Sequence, residues 1–435
     1  MKRSTFKCLM VGMLAVSLVS CKDDDDKLTD LSDGSGTMEQ MTPTQSKAFL
    51  EQTANEAMAM LNPNDQRDLV ELCSYVSDVY GDYELPENFD VEDDRYDERR
   101  FANDLSRSAT RGDGDGMTRA AVEYIYNIDF DNFKGIYEAF ERNEEWKRVG
   151  NSNDIVFRFN NYEGEACELK VTGSSEYSEG SFSYTMEDDD YYYSEDERYI
   201  VDFKLPTSVS VSLTENGTQL ASVKLNSKID VAGHNFSLDV TVTAANIVAT
   251  SKVSGTDTKV TESVITTVGG KNFATSQASA TGNHLCDITF YDKYFDDGKD
   301  QEMAVSQLFT NGEATVTVID KVSVDATMTW GIDMWDALAC WAEDEREAKS
   351  LVSTLNANIN AIVRYNNKKT EQARLSWDYT KDKYYGECDI EPQLVFPDGT
   401  TYFVADYFEK GFSSVEDSWY SLTRKYRSVW NSVRK

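Results

Sequence analysis

The sequence predicts an α+β protein in which a large coiled antiparallel β-sheet, in outline a half-barrel, packs against amphipathic helices. Three observations carry this. From about Asp154 to Trp330 apolar and polar residues alternate with the period of a half-buried strand, whereas on either side the apolar residues recur at the three- and four-residue spacing of a helix. Between the alternating runs stand turn sequences such as Glu215-Asn216-Gly217, Ala232-Gly233 and Gly269-Gly270, which make consecutive strands antiparallel neighbours.

In chain order, residues 45–150 read as a helical N-terminal region. Leu50, Ala54, Ala57, Met58 and Leu61 form one stripe; Leu69, Leu72, Cys73, Val76 and Tyr80 form another after Asn62-Pro63, a cap followed by proline in the first turn, so the two make a helical hairpin. Residues at about 90–119 are charged and glycine-rich and read as a mobile linker, and Val122 to Trp146 is a mixed aromatic stretch of no clear period.

Residues 151–435 form the sheet body. Ala314, Val316, Val318, Val322, Val324, Ala326 and Met328 share one face, with Thr315, Thr317, Lys321, Ser323, Asp325 and Thr327 on the other. Read as one strand of fourteen or more residues, this run spans about 46 Å at roughly 3.3 Å per residue and requires strong twist. Similar alternation runs through Val209–Leu213, Ala221–Val231, Phe236–Ala244 and Val260–Val268. The apolar face needs a cover. Trp335, Leu338, Ala348, Leu351, Val352, Leu355, Ile359, Ile362 and Val363 predict a helix over 331–372, broken near Glu343 to Glu347. Residues 384–407 predict a hairpin around Pro397-Asp398-Gly399. A closing helix over 411–435 carries Phe412, Val415, Trp419, Leu422, Tyr426, Val429 and Val433 on the stripe expected to dock on the sheet.

Composition bounds the chemistry. There are 435 residues, 77 acidic against 43 basic side chains, and a formal charge of −34, with 40% hydrophobic and 12% aromatic content. Such a chain has the material for a packed core, and its charge repels phosphate backbones, so nucleic acid is not an expected partner.

The first twenty residues read as an export signal: Lys2, Arg3 and Lys7 precede an apolar stretch of about a dozen residues, too short to span a bilayer. It ends Leu18-Val19-Ser20-Cys21, which resembles the lipobox of bacterial lipoprotein precursors. The acidic run Lys22, Asp23, Asp24, Asp25 and Asp26 that follows resembles the export signal of surface-exposed lipoproteins of Bacteroidota. The resemblance covers only the first 27 residues or so. It implies removal of residues 1–20, lipidation of Cys21, and an outer-membrane anchor facing the cell exterior. Residues 21–44 then act as a flexible tether, with an r.m.s. reach of about 26 Å.

Little in the body points to catalysis, and no catalytic residue, metal site or cofactor is assigned beyond the lipid on Cys21. Only His234 and His284 exist, too few for a multi-histidine metal site, and both read as turn or edge residues. Cys73, Cys167, Cys286, Cys340 and Cys388 are widely spaced and odd in number, the pattern of buried small hydrophobes rather than of a zinc site or disulfide framework, and a single bridge between one unidentified pair stays open in an oxidising compartment. Asp113-Gly-Asp115-Gly and Asp296-Asp297-Gly298-Lys299-Asp300 lack the spaced ligands of a calcium loop. Arg111-Gly112-Asp113 spells an adhesion tripeptide that an Asp/Gly-rich linker generates by chance. Tyr191, Tyr192 and Tyr193, set among acidic residues, read as a solvated hairpin tip or as a surface contact for a sugar or basic partner.

The expected function is therefore that of a non-enzymatic cell-surface lipoprotein, a binding or structural accessory of the outer membrane whose partner is a glycan, an amphiphile or a protein. The alternative is a carrier holding an amphiphile in an apolar groove of the sheet. A glycan-cleaving enzyme using two carboxylates ranks last, because abundant carboxylates make any such pair uninformative.

Overall fold

The computed structural model describes residues 38–86, 89, 92–93, 122–186, 197–287, 308–409 and 412–433, except 141, 143, 231, 331–333, 339 and 382–386. It is an α+β fold. Helix α1 (Pro43–Met60) starts at a capping box, in which Thr42 N–H donates to Gln45 Oε1 (2.9 Å) and Gln45 N–H to Thr42 Oγ1, with Pro43 in the first turn. A 3-10 turn (Pro63–Gln66) leads into α2 (Arg67–Tyr80), completing the helical hairpin. On α2 the inward positions include Leu72, Ser74 and Tyr80, while Cys73, assigned to the apolar stripe by spacing, is exposed.

Strands begin earlier than the sequence predicted, because Val122 to Trp146 is largely β. A small sheet, ordered β1 (Glu92–Asp93), β2 (Val122–Asp129), β8 (Glu197–Pro206), β7 (Tyr177–Met186), pairs β2 with β8 in parallel. The large sheet starts with β3 (Gly135–Phe140) and β4 (Glu145–Gly150), so residues 135–150 belong to the sheet body and not to a helical region. It continues through β5 (Ile155–Asn160), β6 (Ala166–Gly173), β9 (Ser208–Glu215), β10 (Thr218–Asp230), β11 (Asn235–Ala244), β12 (Ile247–Thr256), β13 (Lys259–Val268), β14 (Lys271–Gly282), β15 (Phe309–Val318) and β16 (Val322–Thr329). Its last strands are β18 (Ile359–Tyr365), β19 (Glu371–Lys381) and β20 (Cys388–Val395), with the short β17 (Trp341–Ala342) and β21 (Thr401–Phe403) on the outer edge of β20. Within this large sheet every strand pairing is antiparallel except β3 with β5. Among the described residues no pairing joins β4 to β17 or β21, so the sheet is open.

The strands are shorter than alternation alone implied. The run from Ala314 to Met328 is a hairpin, folded at Ile319 and Asp320, both at positive φ, with Lys321 N–H donating to Val318 O (2.9 Å). Val318 faces Val322 and Val316 faces Val324, so the apolar face stays continuous across the turn. This fold-back is invisible to a period-two count because the pairing preserves parity. The Asn216-Gly217 and Gly269-Gly270 turns take the positive φ that a tight hairpin demands.

The predicted helix over 331–372 is two short helices followed by strands. Helix α3 (Met334–Leu338) and α4 (Glu345–Asn358) are separated where Asp344 caps α4, accepting from the Arg346 and Glu347 N–H groups (2.8 and 2.9 Å). Ile359, Ala361, Val363 and Tyr365 then alternate inward as β18. Of the predicted hairpin over 384–407, β20 and β21 flank the Pro397-Asp398-Gly399 turn, and Val404–Glu409 is helix α5.

Register places Tyr137, Phe157, Leu169, Val211, Val223, Val240, Ala249, Val264, Val316, Val324, Val363 and Leu394 on one continuous face. At its far end the face is covered by Phe49, Leu50, Ala54 and Met58 of α1, with Phe49 and Tyr365 rings 4.6 Å apart and Ser46 hydrogen-bonded to the Tyr365 hydroxyl. Beside this, Leu351, Val352 and Leu355 of α4 cover Ile359, Trp377 and Ile390. At the near end Phe89, Phe130 and Phe133 cover Tyr137, Ile155 and Phe157. In the middle the cover thins: Ile229 and Val242 are 40% and 38% exposed. The opposite face is not uniformly wet. Thr261, Thr275, Ser279 and Thr317 are buried on it, Thr317 at 1% exposure.

The closing helix α6 (Ser413–Val433) buries Val415, Leu422 and Val429, as its spacing predicted, but against a different partner. It packs along α1, the 3-10 turn and α2, and Tyr426 donates to Gln66 Oε1 (2.6 Å). Val415 in its first turn and Phe412 just before it join the cluster on the sheet. The helical hairpin is thus sandwiched between sheet and α6.

Candidate functional site

Because the buried stripe of α6 recurs at every third or fourth residue, the residues between are thrown to solvent on the opposite side. There Asp417, Tyr420, Ser421, Arg424, Lys425 and Ser428 line a shallow, wide-open groove of about 430 Å³, formed by this one helix. Tyr420 is 54% exposed. Arg424 follows it by one helical turn, and Arg427 is exposed nearby. No carboxylate among the described residues forms an ion pair with Arg424, Lys425 or Arg427, although the chain carries far more acids than bases. The site is a cationic, aromatic groove on an acidic protein. Three bases within four residues, on the outward stripe of an amphipathic helix, are the sequence signal that points to it.

The chain's two histidines meet at a second cluster. The turn after β10 places His234 at positive φ, the turn after β12 supplies Asp257, and the segment leaving β14 supplies His284 and Asp287. His234 Nδ1 lies 2.8 Å from Asp257 Oδ2, and its Nε2 lies 3.8 Å from Asp287 Oδ1; His284 Nδ1 lies 3.3 Å from Asp287 Oδ2. The hydrogen bond to Asp257, aided by the Asp287 and Asp230 charges, raises the pKa of His234. Rings and carboxylates here pair with one another, and among the described residues no group of three or more His, Cys, Asp or Glu is arranged to hold a metal ion. The cluster ties three loops at one end of the sheet.

A third set of charges ties the small sheet to the 3-10 turn (Phe130–Phe133) that leads from β2 to β3. Lys204 of β8 lies 3.2 Å from Asp129 and 2.8 Å from Asp131, and 4.8 Å above the Tyr177 ring, while Asp131 also accepts from Lys134 (2.7 Å) and Tyr177 (2.6 Å). The hydrogen bonds from Lys134, Lys204 and Tyr177 hold the Asp131 carboxyl well below the usual carboxylate range.

Cys21, Lys22, Asp23, Asp24, Asp25 and Asp26 lie outside the described residues, as do Tyr191, Tyr192 and Tyr193, the Arg111-Gly112-Asp113 tripeptide, and both aspartate-rich segments weighed as calcium loops. Of the five body cysteines, Cys167 and Cys388 are buried, Cys286 and Cys340 partly so and Cys73 exposed, and burial pushes the Cys167 thiol up to about 11. No helix among the described residues is long and apolar enough to cross a membrane. Comparison with known proteins finds no matching family, no matching curated relative and no matching solved structure.

Proposed function

We propose that the protein is a non-enzymatic lipoprotein of the outer-membrane surface, anchored by a lipid on Cys21 and acting as a binding or structural accessory through its outer faces. The leader and lipobox support the anchor. The occupancy of the apolar sheet face supports action at the outside: Phe49, Leu50 and Met58 at one end, Leu355 beside them and Phe130 and Phe133 at the other fill the volume a carrier would leave for its cargo. Interiors are close-packed, and an unfilled apolar cavity forfeits the contacts that its lining would otherwise make.

The carrier reading keeps one observation in its favour, the half-exposed Ile229 and Val242 on the apolar face of β10 and β11. Native mass spectrometry of the mature chain released from detergent separates the two. An accessory protein carries covalent lipid alone. A carrier retains a stoichiometric, non-covalent amphiphile as well.

A further inference from the structure

We propose that the groove on α6 binds an acidic saccharide, with Arg424 and Lys425 holding its carboxylate or phosphate groups and Tyr420 stacking on a sugar ring. This rests on the reading of the protein as a surface binder and names what it binds. Arginine presents a planar fork that pairs with an oxyanion through two parallel hydrogen bonds, and lysine adds a mobile point charge beside it. Among the described residues neither base has a carboxylate partner, which leaves both available for an external anion. Long-range repulsion by the rest of the protein limits how much negative charge the ligand can carry, which favours spaced single charges over a polyphosphate.

The remaining lining fits a sugar better than a bare anion. Tyr420 exposes an apolar ring that stacks on the C–H face of a pyranose, its edge hydroxyl remaining free to hydrogen-bond. Ser421 and Ser428 provide hydroxyls that donate or accept, and Asp417 accepts from sugar hydroxyls at the far end of the groove.

Membrane headgroups share the anionic chemistry but fit the placement less well. The tether enters the described fold at Met38 and Met41, whose N–H groups donate to Thr370 and Gln372 beside the start of α1. Arg424 and Lys425 lie at the other end of the helical layer, where Tyr426 meets Gln66, beyond the 18 residues of α1. That separation is on the order of 27 Å at 1.5 Å per residue.

The test uses the mature lipidated chain in neutral detergent micelles, titrated by calorimetry with hexameric oligogalacturonide, with maltohexaose as the uncharged sugar, and with glycerol 1-phosphate as a headgroup phosphate without ring or tail. Oligogalacturonide should bind, more weakly as salt rises. Arg424→Gln and Lys425→Gln should each weaken it about tenfold or more, the size of one charge-assisted hydrogen bond. Tyr420→Ala should weaken it too, and all three variants should keep the wild-type melting temperature because the residues face solvent. Binding of maltohexaose equal to that of oligogalacturonide, binding of glycerol 1-phosphate as tight as the hexamer, no oligogalacturonide binding, or variants that bind undiminished would each overturn the assignment. None of these outcomes bears on the anchor or on the covalent-lipid result, so the two readings fail separately.

Discussion

His234 and His284 approach the same carboxylate, Asp287, from different loops at one end of the sheet, one ring through Nε2 and the other through Nδ1. Asp257 holds the far side of the His234 ring, so an imidazole is placed between two carboxylates with Asp230 close by. Protonating His234 relieves carboxylate repulsion that the neutral ring leaves in place.

The folded-state pKa of His234 is raised above 6.5, so between that value and the folded one the folded chain binds more protons than the unfolded chain. The stabilisation is fully present below the unfolded value and is lost as pH rises through the folded one. Thermal melts of wild type and His234→Gln across neutral pH should show a wild-type advantage that shrinks with rising pH. An advantage that grows with pH would contradict this placement of charges.

Thr317 gives a sharper test of the sheet's two faces. Its side chain is buried on the polar face, and Oγ1 has no hydrogen-bond partner among the described residues. Thr317→Val removes an unsatisfied hydroxyl at nearly constant shape and should be neutral or stabilising by about 1 kcal/mol. Thr317→Asp should cost several kcal/mol, because it buries an unpaired carboxylate, whereas Ser323→Asp, less buried on the same face, should cost far less. Denaturant midpoints decide it, and equal losses for the two aspartates would refute the burial pattern.

The two sides of α6 should respond in opposite ways. Leu422→Ala empties a buried site between α6 and the helical hairpin and should cost about 2 to 5 kcal/mol, while Ser421→Ala should leave stability unchanged. Deleting residues 411–435 should uncover α1 and α2 and produce aggregation by light scattering. A truncated chain that remains a folded monomer, coming from a dimeric parent, would mean that the stripe pairs two chains instead.

Much of this architecture is legible in the sequence, for identifiable reasons. Asn216-Gly217 and Gly269-Gly270 announce their turns because glycine and asparagine accept positive φ. Ile319-Asp320 announces nothing: a β-branched residue at positive φ is held there by tertiary bonds, Ile319 N–H to Phe273 O (2.9 Å) and Asn272 to Asp320 (2.6 Å). Ile359 and Val363 fit the helix spacing as well as the strand alternation, whereas Ile362 fits only the helix spacing and falls on the face opposite to them; pairing with β16 and β19 selects the strand. The α6 stripe is readable, but its partner is not, since spacing shows that a face is buried without showing against what. The meeting of His234, Asp257, His284 and Asp287 is non-local and has no sequence signature at all. The basic run on α6 has one, in its charge and spacing, once the outward stripe is known.

The proposed function depends on the anchor at Cys21, which metabolic labelling with an alkynyl palmitate analogue, combined with protease treatment of intact cells, tests most directly. The wild-type chain should carry label, the Cys21→Ala chain should carry none, and protease should remove the wild-type body from the cell surface. Label that persists in Cys21→Ala, or a wild-type body fully protected from protease, would contradict a lipid-anchored protein facing the exterior.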